Sequence, residues 1–155
     1  MPAPELLAAL RWAFLLVLLA AAITDLRWLR IPNGLVLAAL GLALTALVLT
    51  PAGWQGRLLA GGLVFAVTVP LFAFNLMGGG DAKLFPVLGL WLGGAAFDFF
   101  LLTSLLAAAF ALLLVVVRRL VAAAGADPVR LWPVLQREEG VPLAVPALPA
   151  AWFWV

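Results

Sequence analysis

The sequence predicts an all-α, polytopic membrane protein with about six transmembrane helices and its N-terminus outside. Of its 155 residues, 67% are hydrophobic and only 10% are charged. A soluble domain is typically about 45–50% apolar and about 25% charged. Apolar runs of about 20 residues, the length that crosses the hydrocarbon core of a bilayer, recur along the chain. The length predicts a single membrane-embedded domain, residues 1–155, with no room for a separate soluble module.

Six apolar segments are predicted to form the spans. Four of them are long enough to cross a bilayer: Leu6–Thr24, Pro32–Thr50, Leu58–Met77 and Phe99–Val117. A fifth segment, Ala82–Phe97, is shorter and glycine-rich. The last, Val141–Val155, is interrupted by three prolines, which favour a broken helix or one that crosses only in part. The one long polar connection is predicted at residues 118–140.

The distribution of basic residues predicts the orientation, because cytoplasmic connections carry an excess of Lys and Arg. With the N-terminus outside, the inner connections contain most of the positive charge: Arg27, Arg30, Lys83, Arg118, Arg119, Arg130 and Arg137. The outer connections contain only Arg57, while Arg11 lies within the first span. This orientation places Asp25 and Asp81, which follow the first and third spans, on the same cytoplasmic face.

The composition excludes several kinds of chemistry. Cysteine and histidine are both absent. Their absence excludes disulfides, zinc sites of the usual ligand type, thiol catalysis and every triad that contains histidine. The formal net charge of +2 is too small to indicate binding of nucleic acid. Carboxylates, one serine, one lysine and the arginines remain available for chemistry, and we expect a site without a metal or a cofactor.

Two aspartates are the candidate catalytic residues. Asp81 follows three glycines at the edge of an apolar run, and an ionisable residue at or inside a membrane is a functional candidate because inserting it is costly. Asp25 ends a long span, where the helix dipole disfavours an anion. Two alternatives remain open at this stage: Asp81 as a helix cap and Asp25 as the partner of a following arginine. The other acids are assigned to helix ends or to the polar loop: Glu5, Asp98, Asp127, Glu138 and Glu139.

A pair of close carboxylates has a recognised chemical use. At roughly 4 Å and an effective dielectric near 20, two negative charges repel by about 4 kcal/mol. One carboxyl therefore keeps its proton while the other ionises. The ionised group can take a proton from water, and the protonated group can donate to a carbonyl oxygen, as in aspartic peptidases. Such a site needs no histidine and no metal.

Both motifs resemble those of the prepilin peptidases. Gly78-Gly79-Gly80-Asp81 is a G-x-G-D motif, and Asp81 is followed by Ala82-Lys83-Leu84 and by the stretch Gly89-Leu-Trp-Leu-Gly93. Asp25, followed by Ile31-Pro32-Asn33, is similar to the first-aspartate motif of that family. The resemblance implies that Asp25 and Asp81 are catalytic. It implies supporting roles for the remaining motif residues: Gly78, Gly80, Lys83, Pro32 and Asn33.

The resemblance also implies a substrate and a location. Members of the family cut the basic leader peptides of prepilins or pseudopilins at the cytoplasmic face of the bacterial inner membrane, so the expected partners are those leaders and the lipid bilayer. Longer members add a cytoplasmic domain with a cysteine tetrad and an amino-methyltransferase activity. This chain has no cysteine, and it looks like the short branch that processes tight-adherence (Flp-type) pilins.

Three other functions are compatible with parts of the sequence. A transporter would use Asp25 and Asp81 as proton or cation sites, although neither falls at mid-span and no inverted repeat is visible. A serine–lysine peptidase would use Ser104 and Lys83, which the predicted spans place at different depths. A structural subunit of a pilus-assembly system would leave the two aspartates without a role.

Overall fold

A computed structural model describes residues 3–28, 30–123 and 147 of the chain. These residues form five α-helices and one 3₁₀ turn, Gly93–Ala95, between the last two helices. The helices are α1 (Pro4–Trp28), α2 (Asn33–Leu49), α3 (Trp54–Ala73), α4 (Gly79–Leu92) and α5 (Ala96–Ala123). No β-strand occurs in the part of the chain that the structure describes. The predicted all-α class is confirmed.

Three helical segments are long and apolar enough to cross a membrane. They are Pro4–Trp28, Trp54–Ala73 and Gly79–Val121, the last of which contains α4, the turn and most of α5. Helix α2 is also apolar but has only 17 residues. The membrane character of the chain is thus confirmed, whereas the count of six spans and the outward N-terminus remain predictions. The predicted span Val141–Val155 lies outside the described residues except for Ala147.

The boundary between α4 and α5 differs from the predicted one. Helix α4 ends at Leu92 instead of reaching Phe97, because Gly93 has φ +57° and ψ −120°, a conformation that glycine adopts without steric cost. The rings of Phe85 and Phe100 have centroids 5.3 Å apart, whereas an unbroken helix would separate these residues by about 22 Å. The chain therefore folds back at the 3₁₀ turn. Helix α5 then continues through residues 118–123, which were predicted to belong to the polar loop.

The order of the helices gives the bundle two distinct ends. The motif end contains the last turn of α1, the first turn of α2, the last turn of α3 and the first turn of α4. The opposite end contains the α2–α3 connection and the 3₁₀ turn, where a Cβ on Gly93 would lie 2.9 Å from Cγ of Arg57. The two sequence motifs consequently meet at the motif end, although about 50 residues separate them in sequence.

Helix α4 is the central element of the core. It packs against α2, α3 and α5, and most of its side chains are buried. The Trp91 ring stacks on Phe14 of α1 with a centroid distance of 4.0 Å and an interplanar angle of 9°. With 14 residues, α4 is only about 21 Å long. A short helix that is enclosed on several sides holds its first turn in a fixed place.

Two glycines allow α3 and α4 to pack at backbone contact. A Cβ added to Gly89 would lie 3.1 Å from both the carbonyl oxygen of Ala60 and Cα of Gly61. A Cβ added to Gly61 would lie 3.2 Å from the carbonyl oxygen of Pro86. Small residues at such contacts let helix backbones approach closely within a membrane. Gly61 and Gly89 thus set the distance between these two helices.

The adjacent glycines Gly61 and Gly62 provide a matched test of this contact. We expect Gly61→Leu to destabilise the protein by about 1–3 kcal/mol, because the new side chain meets backbone atoms that cannot move aside. Gly62 is exposed and has nothing within 4 Å of an added Cβ, so Gly62→Leu should not destabilise. Both changes raise helix propensity alike. Thermal unfolding in detergent measures the difference, and equal stabilities would contradict the packing described here.

Candidate active site

The glycine motif places Asp81 inside the first turn of α4. Gly78 is the N-cap, and no side chain caps the helix. The Ala82 amide donates to the Gly78 carbonyl at 3.0 Å, which starts the helix. Asp81 is therefore the third helical residue, and it is only 6% exposed. The alternative in which Asp81 caps the helix is not supported, although an anion in a first turn still interacts favourably with the helix dipole.

The last turn of α1 brings Asp25 to the same place. Asp25 is 5% exposed, and Ile31 of the connection that follows it packs against Gly80, next to Asp81. Atom Oδ1 of Asp81 is buried and accepts no hydrogen bond from the described residues. A buried acceptor without a donor costs free energy, and such groups in folded proteins require an explanation. The two aspartates predicted from the sequence are thus neighbours in a buried site at the motif end.

The absence of side chains on two motif glycines is required for this arrangement. A Cβ on Gly80 would lie 2.9 Å from Cγ1 and 3.0 Å from Cβ of Ile31, so a larger residue would push α4 away from the α1–α2 connection. A Cβ on Gly78 would lie 3.1 Å from Oδ2 of Asp81. Gly78 itself is exposed. It therefore leaves one approach to the Asp81 carboxyl free of a side chain.

A side-chain hydrogen bond connects the two motifs directly. Pro32 is the N-cap of α2 with φ −58°, and its carbonyl accepts a hydrogen bond from the Leu35 amide at 3.0 Å. Asn33 is the first residue of α2, and its Oδ1 accepts a hydrogen bond of 3.0 Å from Nζ of Lys83. Lys83, one of the motif residues named from the sequence, thus forms a contact between α4 and α2. It holds the start of α2 beside the start of α4.

Thr68 is a member of the site that the sequence interpretation missed. It is 3% exposed, and its hydroxyl donates to the carbonyl of Ala82 at 3.2 Å. This bond attaches α3 to α4 one residue after Asp81. A signal was present in the sequence, since Thr68 and Asn75 are the only polar residues of the apolar run Leu58–Met77.

Other residues considered for chemistry lie apart from the two aspartates. Asp98 is exposed in the first turn of α5, at the opposite end. The Ser104 hydroxyl donates to the Phe100 carbonyl of its own helix at 2.7 Å, and Lys83 is bonded to Asn33, so the serine–lysine alternative is not supported. Within the described ranges, no three potential metal ligands among His, Cys, Asp and Glu come together.

Cross-linking can test the proximity of the two aspartates independently of any activity. The chain has no native cysteine, so Asp25→Cys and Asp81→Cys can be combined without background. We expect a short bifunctional thiol reagent to join this pair, because such a reagent spans side chains that meet without requiring the close Cβ distance of a disulfide. The pair Asn33→Cys with Lys83→Cys is the positive control, and Asp25→Cys with Asp98→Cys is the negative control. Gel mobility measures the cross-link. If the first pair does not cross-link under conditions that join the positive control, the two aspartates are not neighbours and the described site is wrong.

Comparison with known proteins supplies the family. Residues 12–115 match the model of the type IV leader peptidase family. A stretch of 83 residues, 52% of the chain, is 35% identical to the prepilin leader peptidase/N-methyltransferase of Bacillus subtilis (strain 168). The match covers 34% of that relative, so the chain corresponds to about a third of its length. No solved structure matches the chain. Because the family model covers more than half of the sequence, including both buried aspartates, this protein belongs to the type IV leader peptidase family.

Proposed function

We propose that this protein is a membrane aspartic endopeptidase that cleaves the leader peptides of type IV or Flp-type prepilins and pseudopilins. The proposal rests on two buried carboxylates, Asp25 and Asp81, at the same end of a chain that belongs to the leader peptidase family. They come from the last turn of one helix and the first turn of another. A transporter is less well supported, because both aspartates lie at helix ends rather than at mid-span.

In the proposed mechanism the two aspartates share one proton and act on one water molecule. Close carboxylates in a buried site do not both ionise, because their repulsion amounts to about 4 kcal/mol at an effective dielectric near 20. The ionised carboxylate takes a proton from water as the water attacks the peptide carbonyl. The protonated carboxyl donates its proton to the carbonyl oxygen. The proton taken from water then passes to the amide nitrogen as the C–N bond breaks, and the carbonyl re-forms by returning the donated proton to the carboxylate. Within the described part of the chain no group donates to Oδ1 of Asp81, so this oxygen is available to accept a hydrogen bond from the water.

The surroundings of Asp81 support peptide access from the motif end. Gly78 is exposed and lies next to Oδ2 of Asp81, so the backbone of a substrate can approach this oxygen without meeting a side chain. We propose that this end faces the cytoplasm of a bacterium. The exposed basic residues Arg27, Arg30 and Lys83 all lie there, in agreement with the excess of positive charge in cytoplasmic connections.

A site at the cytoplasmic edge of the membrane favours a cut at the junction between the leader peptide and the apolar helix that follows it. The basic leader stays on the cytoplasmic side, while the helix that follows it enters the bilayer. The scissile bond must be unwound, because a helical peptide keeps its carbonyls in intrahelical hydrogen bonds. A glycine immediately before the cut lowers the cost of that unwinding. We therefore propose cleavage after such a glycine, without a metal ion or another cofactor.

Substitution of either aspartate tests the proposed function. We expect Asp25→Asn and Asp81→Asn each to lower the cleavage of a co-expressed Flp-type prepilin by on the order of 10²–10⁴-fold, since each removes a proton donor or acceptor. Mass spectrometry of the pilin N-terminus measures both the processed fraction and the position of the cut. Asp98→Asn is the matched control and should cleave normally. Near-normal cleavage by either site variant, or a cut inside the apolar helix, would contradict the proposal.

A further inference from the structure

A small pocket at the opposite end of the bundle is lined by two arginines. It has a volume of about 80 Å³ and is lined by Arg11 of α1, Thr50 at the end of α2, Arg57 of α3 and Trp91 of α4, together with three apolar side chains. Four helices thus contribute to it. The pocket is larger than the roughly 30 Å³ that one water molecule occupies in the liquid, and it plays no part in the proposed peptidase chemistry.

The charges of this pocket are unbalanced. Nη1 of Arg57 donates to Oγ1 of Thr50 at 3.1 Å, and that hydroxyl donates to the Ala46 carbonyl at 2.7 Å. Arg57 is therefore oriented by the end of α2. Among the described residues, no carboxylate forms an ion pair with Arg11 or Arg57. Arg11 is exposed and Arg57 is half-buried. Because both cationic residues line the same small pocket, their like charges repel each other, and an anion bound there would offset that repulsion.

The tryptophans near the pocket indicate its depth in the membrane. Trp91 lines it, while Trp12 and Trp54 are exposed next to Arg11 and near Arg57 in sequence. Tryptophan is enriched at the membrane–water interface, at the level of the lipid headgroups. Arg11 and Asp25 are 14 positions apart on α1, which corresponds to about 21 Å along the helix. The pocket therefore lies near the membrane boundary away from the aspartates.

We propose that Arg11 and Arg57 form a binding site for a phosphate group, supplied by the headgroup of an anionic phospholipid. A guanidinium matches phosphate geometry with two parallel hydrogen bonds. No side chain caps the first turn of α3, so the positive end of its dipole also favours an anion here. The site does not depend on the proposed peptidase activity.

Native mass spectrometry of the delipidated full chain tests the site. The protein is incubated with phosphatidylglycerol or with phosphatidylcholine, and the bound fraction of each lipid is measured. We expect phosphatidylglycerol to be retained in preference to phosphatidylcholine. The double variant Arg11→Gln/Arg57→Gln should bind phosphatidylglycerol about tenfold more weakly, because charge-assisted hydrogen bonds are lost. Arg119→Gln, which changes an exposed arginine of α5 at the motif end, should bind like the unchanged protein.

A second readout and a competition arm complete the test. Phosphatidylglycerol should raise the unfolding temperature of the unchanged protein but not the unfolding temperature of the Arg57→Gln variant. This single variant replaces the double variant in the test if the double variant does not fold. Equal binding by the double variant, or equal binding of the two lipids, would overturn the proposal. Displacement of phosphatidylglycerol by millimolar inorganic phosphate would assign the pocket to free phosphate and overturn the lipid assignment.

Discussion

The burial of two neighbouring carboxylates is the constraint on which the rest of the structure depends. Asp25 and Asp81 are almost completely buried, in the last turn of α1 and the first turn of α4. Burying a charge is unfavourable unless it is compensated, and the position of Asp25 at the end of α1 adds an unfavourable interaction with the helix dipole. The surrounding packing must therefore hold together two groups that would separate in water.

Three kinds of contact provide that packing. Close backbone contact through Gly61 and Gly89 fixes α3 against α4. The Thr68 hydroxyl attaches α3 to the turn that carries Asp81. The Lys83–Asn33 hydrogen bond and the contact of Gly80 with Ile31 then place the α1–α2 connection, and with it Asp25, beside the start of α4. The first two contacts join the consecutive helices α3 and α4, whereas the last two join segments about 50 residues apart in sequence. Most of them need glycine or a small polar side chain at the point of contact.

Much of this arrangement could be predicted from the sequence because membrane helices are encoded by local composition. The apolar runs predicted the first five helices, and the charge pattern directed attention to Asp25 and Asp81. The end of α4 was wrong by several residues, since the stretch between Leu92 and Phe97 is apolar or small throughout and contains no local stop signal except glycine. Asp98, which the sequence assigned to a helix end, lies in the first turn of α5.

The interactions that connect the motifs were not predictable. The bond between Lys83 and Asn33 joins residues 50 positions apart, and the role of Thr68 depends on which face of α3 meets α4. Both follow from tertiary packing rather than from composition or periodicity. The fold-back at Gly93 could not be predicted either, because a glycine in an apolar run also occurs within continuous helices. The packing of Phe85 on Phe100 shows that the chain reverses direction there.

The most direct test of the central claim is whether the two aspartates work as one unit. The measurement is the rate of prepilin cleavage by Asp25→Asn, by Asp81→Asn and by the variant that carries both changes. Residues that act together show strongly non-additive losses. We predict that the double variant cleaves no more slowly than the slower single variant. Losses that multiply in the double variant would show that the two carboxylates act independently and would contradict the account.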